Sequence, residues 1–132
     1  MKQIFYFLLT MCVFMSIVWI ARDFGKLIFQ PRIEFEVKRA DLDTLKIQDE
    51  AYFYFVYKNK GFGGLQIYEV TTSCGCTVPD WNSDFLGIFE KDSFRVDYNI
   101  ENKGYFIKEI IVYSNSSTSP DKLEFVGYVP FE

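Results

Sequence analysis

Beyond residue 32 the apolar side chains of this chain recur with a period of two, and few folds accept that pattern. Ile33-Glu34-Phe35-Glu36-Val37-Lys38 alternates apolar with charged, and Phe94-Arg95-Val96-Asp97-Tyr98-Asn99-Ile100 alternates again. Neighbouring side chains of a strand point to opposite faces, so each run describes a strand with one buried face. Ala51 to Tyr57 is apolar on both faces, Tyr105 to Tyr113 is a long run with three isoleucines, and Leu123 to Val129 closes the chain. Leu65-Gln66-Ile67-Tyr68 alternates until the phase slips near Glu69-Val70, which predicts a bulge. Turn residues separate the runs at Asn59-Lys60-Gly61, Gly63-Gly64, Asn102-Lys103-Gly104 and 115–120. Aromatic residues make up 20% of the chain, in keeping with pleated, half-buried surfaces. The pattern predicts an all-β antiparallel sandwich of about seven strands.

The N-terminus obeys a different rule. Ile4 to Ala21 is almost wholly apolar, between Lys2 and Arg22-Asp23. As a helix, those eighteen residues would extend roughly 27 Å, enough to span a hydrocarbon core. Val18-Trp19-Ile20 sits where a cleavage site would carry small residues, so an uncleaved membrane anchor is favoured. A cleaved signal peptide and a lipoprotein modified at Cys12 are the alternatives. The chain thus divides into a signal anchor or signal peptide (1–22), a juxtamembrane connector (23–31) and a sandwich domain (32–132). Residues 4–21 predict attachment to a membrane, and N-terminal segments of this kind commonly export the domain behind them. The sandwich is therefore expected in the periplasm or elsewhere outside the cytoplasm.

Composition removes several functions. The chain has no histidine, which eliminates Ser-His-Asp and Cys-His nucleophile pairs and His-containing zinc sites. Its net charge is −4 with both signs interspersed, so nucleic acid is not an expected partner. Asp41 with Asp43, and Asp49 with Glu50, read as solvated loop carboxylates rather than an acid–base pair. No catalytic residue and no cofactor are expected, and the chain is not expected to be an enzyme.

Cys74-Gly75-Cys76 is the one compact chemical motif, set in Thr72-Ser73-Cys74-Gly75-Cys76-Thr77-Val78-Pro79-Asp80-Trp81. Three states remain open for it. The thiols can be small apolar residues at a strand end, with Gly75 marking a bulge or tight turn. They can close a short, strained disulfide, easier to reduce than most and suited to exchange. They can supply two thiolates to a soft ion such as Cu(I), with further ligands from carboxylates such as Asp80 or from another chain. Thr77, Pro79 and Trp81 support the motif.

With its neighbours, that motif resembles the bacterial family catalogued as domain of unknown function 1573, an immunoglobulin-like domain related to the ASH and MSP-like sandwiches. The matching pieces are Asn59-Lys60-Gly61, Leu65-Gln66-Ile67, Ser73 to Pro79 with Trp81, Ile111 to Asn115 and Leu123 to Val129. The chain departs from the pattern at Asp84 to Asp92, where such domains carry a proline-glycine turn, and Asn102-Lys103-Gly104 only approximates a basic-glycine pair. The resemblance implies an immunoglobulin-like fold and an envelope setting, and no activity.

Only one face of the strand over Ala51 to Tyr57 can meet the core of a two-sheet sandwich. Tyr52 and Tyr54 are then expected outside, beside Tyr68, Tyr105 or Tyr128, as interface candidates together with Trp81. The expected function is a membrane-tethered, extracytoplasmic immunoglobulin-like module that binds an envelope protein or assists assembly. The alternative is thiol redox or Cu(I) handling through Cys74 and Cys76.

Overall fold

The computed structural model describes residues 2–73 and 77–131, with 77–79 described by their backbone alone. It opens on the helix α1 (Lys2–Ile28), 27 residues long and roughly 40 Å at ~1.5 Å per residue. None of its residues is buried against protein. Its length and composition suffice to cross a membrane, and a signal sequence meets the same description. The helix continues through Asp23–Ile28, past the expected boundary at residue 22. It stops short of Pro31, which disfavours helical geometry at Gln30 and lacks an N–H to donate. The non-helical connector is therefore short, from Phe29 to Arg32.

Among the described residues eight strands come after it: β1 (Ile33–Phe35), β2 (Arg39–Thr44), β3 (Tyr52–Asn59), β4 (Ile67–Thr72), β5 (Thr77–Asp80), β6 (Lys91–Tyr98), β7 (Gly104–Ser114) and β8 (Asp121–Val129). They form two four-stranded sheets, ordered β1-β3-β6-β5 and β2-β8-β7-β4. The expected immunoglobulin-like sandwich is thus present, with the first sheet in the A-B-E-D order of that fold. Every pair is antiparallel except β2 with β8.

That exception arises where the chain changes sheets. The run Ile33 to Lys38, expected as one strand, breaks after Phe35. The Glu36 amide still donates to Val56 in the first sheet, whereas the Lys38 carbonyl accepts from Glu124 in the second. The chain keeps its direction through the switch, so β2 runs parallel to β8. Asp41 and Asp43, expected in a loop, lie in this strand. Ala40 is its sole buried residue and Leu42 is half-buried, so β2 carries almost no apolar signature. Asp43 takes a left-handed backbone (φ 55°) at the register shift between Asp41 and Thr44, a geometry aspartate tolerates. The predicted bulge in β4 is present as a register shift between Ile67 and Glu69.

Aromatic rings fill the space between the sheets. Phe55 and Phe94 stack at 5.6 Å, Phe35 meets Phe94 edge-on at 6.3 Å, and Tyr98 stacks on Phe106 across the sheets at 3.7 Å. Phe55, Ile110, Leu123 and Phe125 are wholly buried. Burying each such side chain contributes about 1.5–3 kcal/mol before entropy is counted. Tyr57, like Tyr98, brings a phenol into this core. Burial first, then the neighbouring Asp92 carboxylate, push its phenol above its ordinary value and keep it neutral.

A candidate interaction face on the first sheet

β3 and β6 pair in a register that sets Tyr52 opposite Asp97 and Tyr54 opposite Arg95, and β5 places Asp80 on the other side of Arg95. The inward residues Phe55, Phe94 and Val96 lock that register, because a slip of one residue would expose them. On the outer face, the Arg95 guanidinium lies over the Tyr52 ring at 4.4 Å. It donates to Asp97 through Nε at 2.9 Å and Nη2 at 2.5 Å. Tyr52 and Tyr54 meet edge to face at 5.8 Å. The hydrogen bond to Asp97 is the largest influence on Arg95 and raises its pKa, so the cation persists. Arg95 is thereby oriented by a ring below it and a carboxylate beside it, while Tyr52 and Tyr54 remain 38% and 48% exposed.

Beside this row lies an open cleft of about 530 Å³, lined by Tyr54, Asp80, Trp81, Asn82, Ser93 and Arg95. Trp81 is half-buried and packs against the core, so it is a plug at the sandwich margin. Its indole Nε1 is buried without a hydrogen-bond partner among the described residues. Buried indole N–H groups usually find an acceptor, and leaving one orphaned costs about 1–3 kcal/mol. The structure therefore brings the expected Tyr52, Tyr54 and Trp81 to one surface.

Other expectations come out differently. Tyr68, Tyr105 and Tyr128 were expected beside Tyr52 and Tyr54, but they belong to β4, β7 and β8 of the opposite sheet. There Tyr105 and Tyr128 contact each other, with ring centroids 4.5 Å apart. Cys74, Gly75 and Cys76 lie outside the described residues, as do the side chains of Thr77 and Pro79. Their flanks are described: the Ser73 amide donates to Glu109, and Thr77 pairs with Tyr98 at the end of β6. Among the described residues no three His, Cys, Asp or Glu side chains gather as a metal site. Arg95, Asp97 and Asn82 were not singled out from the sequence, and Asp80 was named there only as a carboxylate that could supplement the thiol pair. The one visible signal was the outward Arg95–Asp97 spacing on an alternating strand; their neighbours depend on register.

Residues 33–129 match the family described as Protein of unknown function (DUF1573). The chain belongs to that family. The match covers the whole sandwich from β1 to the end of β8, so the DUF1573 unit is the complete two-sheet body. No curated protein matches the chain. Among solved structures, it is similar to a protein of unknown function from Porphyromonas gingivalis W83, at TM-score 0.66 and 16% identity, over 76% of this chain and 48% of that one. It is also similar to the secreted serine protease VesC from Vibrio cholerae, at TM-score 0.51 and 10% identity, over 74% of this chain and 23% of that one. The DUF1573 chain thus spans about half the length of the first and about a quarter of the second. At these identities the likeness concerns the fold alone.

Proposed function

We infer that this DUF1573 chain is a membrane-tethered binding module without enzymatic activity. α1 holds it to a membrane, the sandwich sits outside the cytoplasm, and an envelope protein docks on the face formed by Tyr52, Tyr54, Arg95 and Trp81. The exposed Tyr52 and Tyr54 held around the fixed Arg95, beside the open cleft that Trp81 helps to line, carry this reading. The surrounding tyrosine, tryptophan and arginine are the residue types that dominate binding energy at protein interfaces. The fixed Arg95 adds a charged contact whose side-chain entropy is already spent.

The test is a photo-reactive residue at position 54 in the full chain, activated in intact cells. A single recurrent protein adduct is expected, reduced at least several-fold by Arg95→Ala and by Trp81→Phe, and unchanged by Cys74→Ser with Cys76→Ser. Absence of any adduct would sink the reading. Loss only in the double cysteine variant would replace it with thiol-dependent capture.

A further inference from the structure

At the end of the sandwich where α1 departs, the aromatic side chains face outwards. Phe62 is 52% exposed, Phe85 70% and Phe89 52%, and Phe29 directly after the helix is 67% exposed. The Phe62 and Phe89 rings meet edge to face at 5.9 Å, and the Phe85 ring covers Gly64. Phe89 holds a left-handed backbone (φ 61°), rare for a bulky residue and a source of strain. That strain accompanies a ring turned towards solvent rather than into the core.

One buried side chain fastens these segments together. Asn59 Oδ1 accepts from the amides of Gly61 and Arg32 at 3.0 and 3.4 Å. Its Nδ2 donates to the carbonyls of Gly63, Leu86 and Gly87 at 2.7, 3.2 and 3.2 Å. Gly61 and Gly63 press so closely on the connector that a Cβ at either would run into the backbone of Phe29–Arg32. The loop carrying Phe62 and the loop carrying Phe85 and Phe89 are thus fixed beside the exit of α1. Charges here are mixed: Lys58 lies 5.7 Å from the Phe89 ring, Lys60 pairs with Glu34 at 3.5 Å, and Glu90 accepts from the Gly87 amide. Apolar area, not a basic patch, is what this end offers.

We propose that Phe29, Phe62, Phe85 and Phe89 form a foot that enters the interfacial zone of the lipid bilayer crossed by α1. The proposal rests on the reading of α1 as a retained membrane span. Beyond Ala21 the helix rises only about 10 Å to Ile28, and the connector Phe29 to Arg32 adds at most about 3.6 Å per residue, so the sandwich stays near the headgroup zone. Aromatic side chains favour that zone, where their rings leave water without reaching the hydrocarbon centre. The foot orients the sandwich and leaves the outer faces of both sheets accessible from the side.

The full chain, reconstituted in phosphatidylcholine–phosphatidylglycerol vesicles, tests this with a diazirine residue placed in turn at positions 62, 89, 107 and 17. Lipid adducts are quantified by mass spectrometry. Positions 62 and 89 are expected to yield at least fivefold more lipid adduct than position 107, which is exposed on the outer face of β7. Equal yields at 62, 89 and 107 would overturn the foot, as would adducts at 62 and 89 that join two copies of the chain. Position 17 reports the span separately. Strong lipid labelling there without labelling at 62 and 89 removes the foot and keeps the anchor, whereas unlabelled position 17 removes the anchor itself.

Discussion

α1 and β3 are built from similar residues and end in opposite surroundings. Phe5, Phe7, Phe14 and Trp19 on α1 are 64–69% exposed, whereas Phe55 and Tyr57 on β3 are 0% and 3% exposed. The difference is geometric. A helix that is apolar all round satisfies its backbone internally and offers no polar face to water, so its natural solvent is lipid. A strand must find backbone partners, and β3 finds them in β1 and β6, which aligns its inward rings with Phe35 and Phe94 of those neighbours. Hydrophobicity alone does not select burial in protein; the backbone's need for partners does.

Alanine at the two kinds of site should separate them most sharply. Phe94→Ala removes a fully buried ring stacked on Phe55 and should cost about 3–5 kcal/mol in denaturant unfolding of the full chain in detergent micelles. Phe14→Ala on α1 should leave the same transition within about 0.5 kcal/mol. A comparable loss from both would mean that α1 packs on the sandwich.

Asn59→Ala comes next, because it leaves several buried backbone groups unpaired where the connector meets the sandwich. A loss of about 1–3 kcal/mol is expected, with faster proteolysis near Gly61 and Gly63. Unchanged cleavage there would show that the connector is held by other means.

The smallest effect concerns Tyr57. Its folded pKa lies above the unfolded value, so the fold favours the neutral phenol. That contribution is complete below the unfolded tyrosine pKa of about 10 and is lost as pH rises through the folded value. Tyr57→Phe should therefore flatten the decline of the unfolding midpoint above about pH 10. Identical alkaline slopes would show that the phenol is solvated.

The sandwich was legible because alternation is a local property. Phe94-Arg95-Val96-Asp97 announces one buried and one exposed face whatever its neighbours are. β2 was not legible, since Ala40 and Leu42 are a faint apolar signal and the switch of sheets after Phe35 comes from packing. For the candidate face, Tyr52, Tyr54 and Trp81 could be named from their residue type and strand phase. Arg95, Asp97 and Asp80 could not, because cross-strand register brings them there.

Local chemistry in the sequence, then, was sufficient for an apolar helix, a two-layer β body and the outward side of β3. Tertiary structure alone decided that Tyr105 and Tyr128 lie on the far sheet, that Arg95 rests on Tyr52, and that one asparagine gathers two phenylalanine-bearing loops beside the exit of α1. Period and hydrophobicity are written residue by residue. Pairing partners and loop neighbours arise from contacts between residues distant along the chain, and only the folded backbone sets those distances.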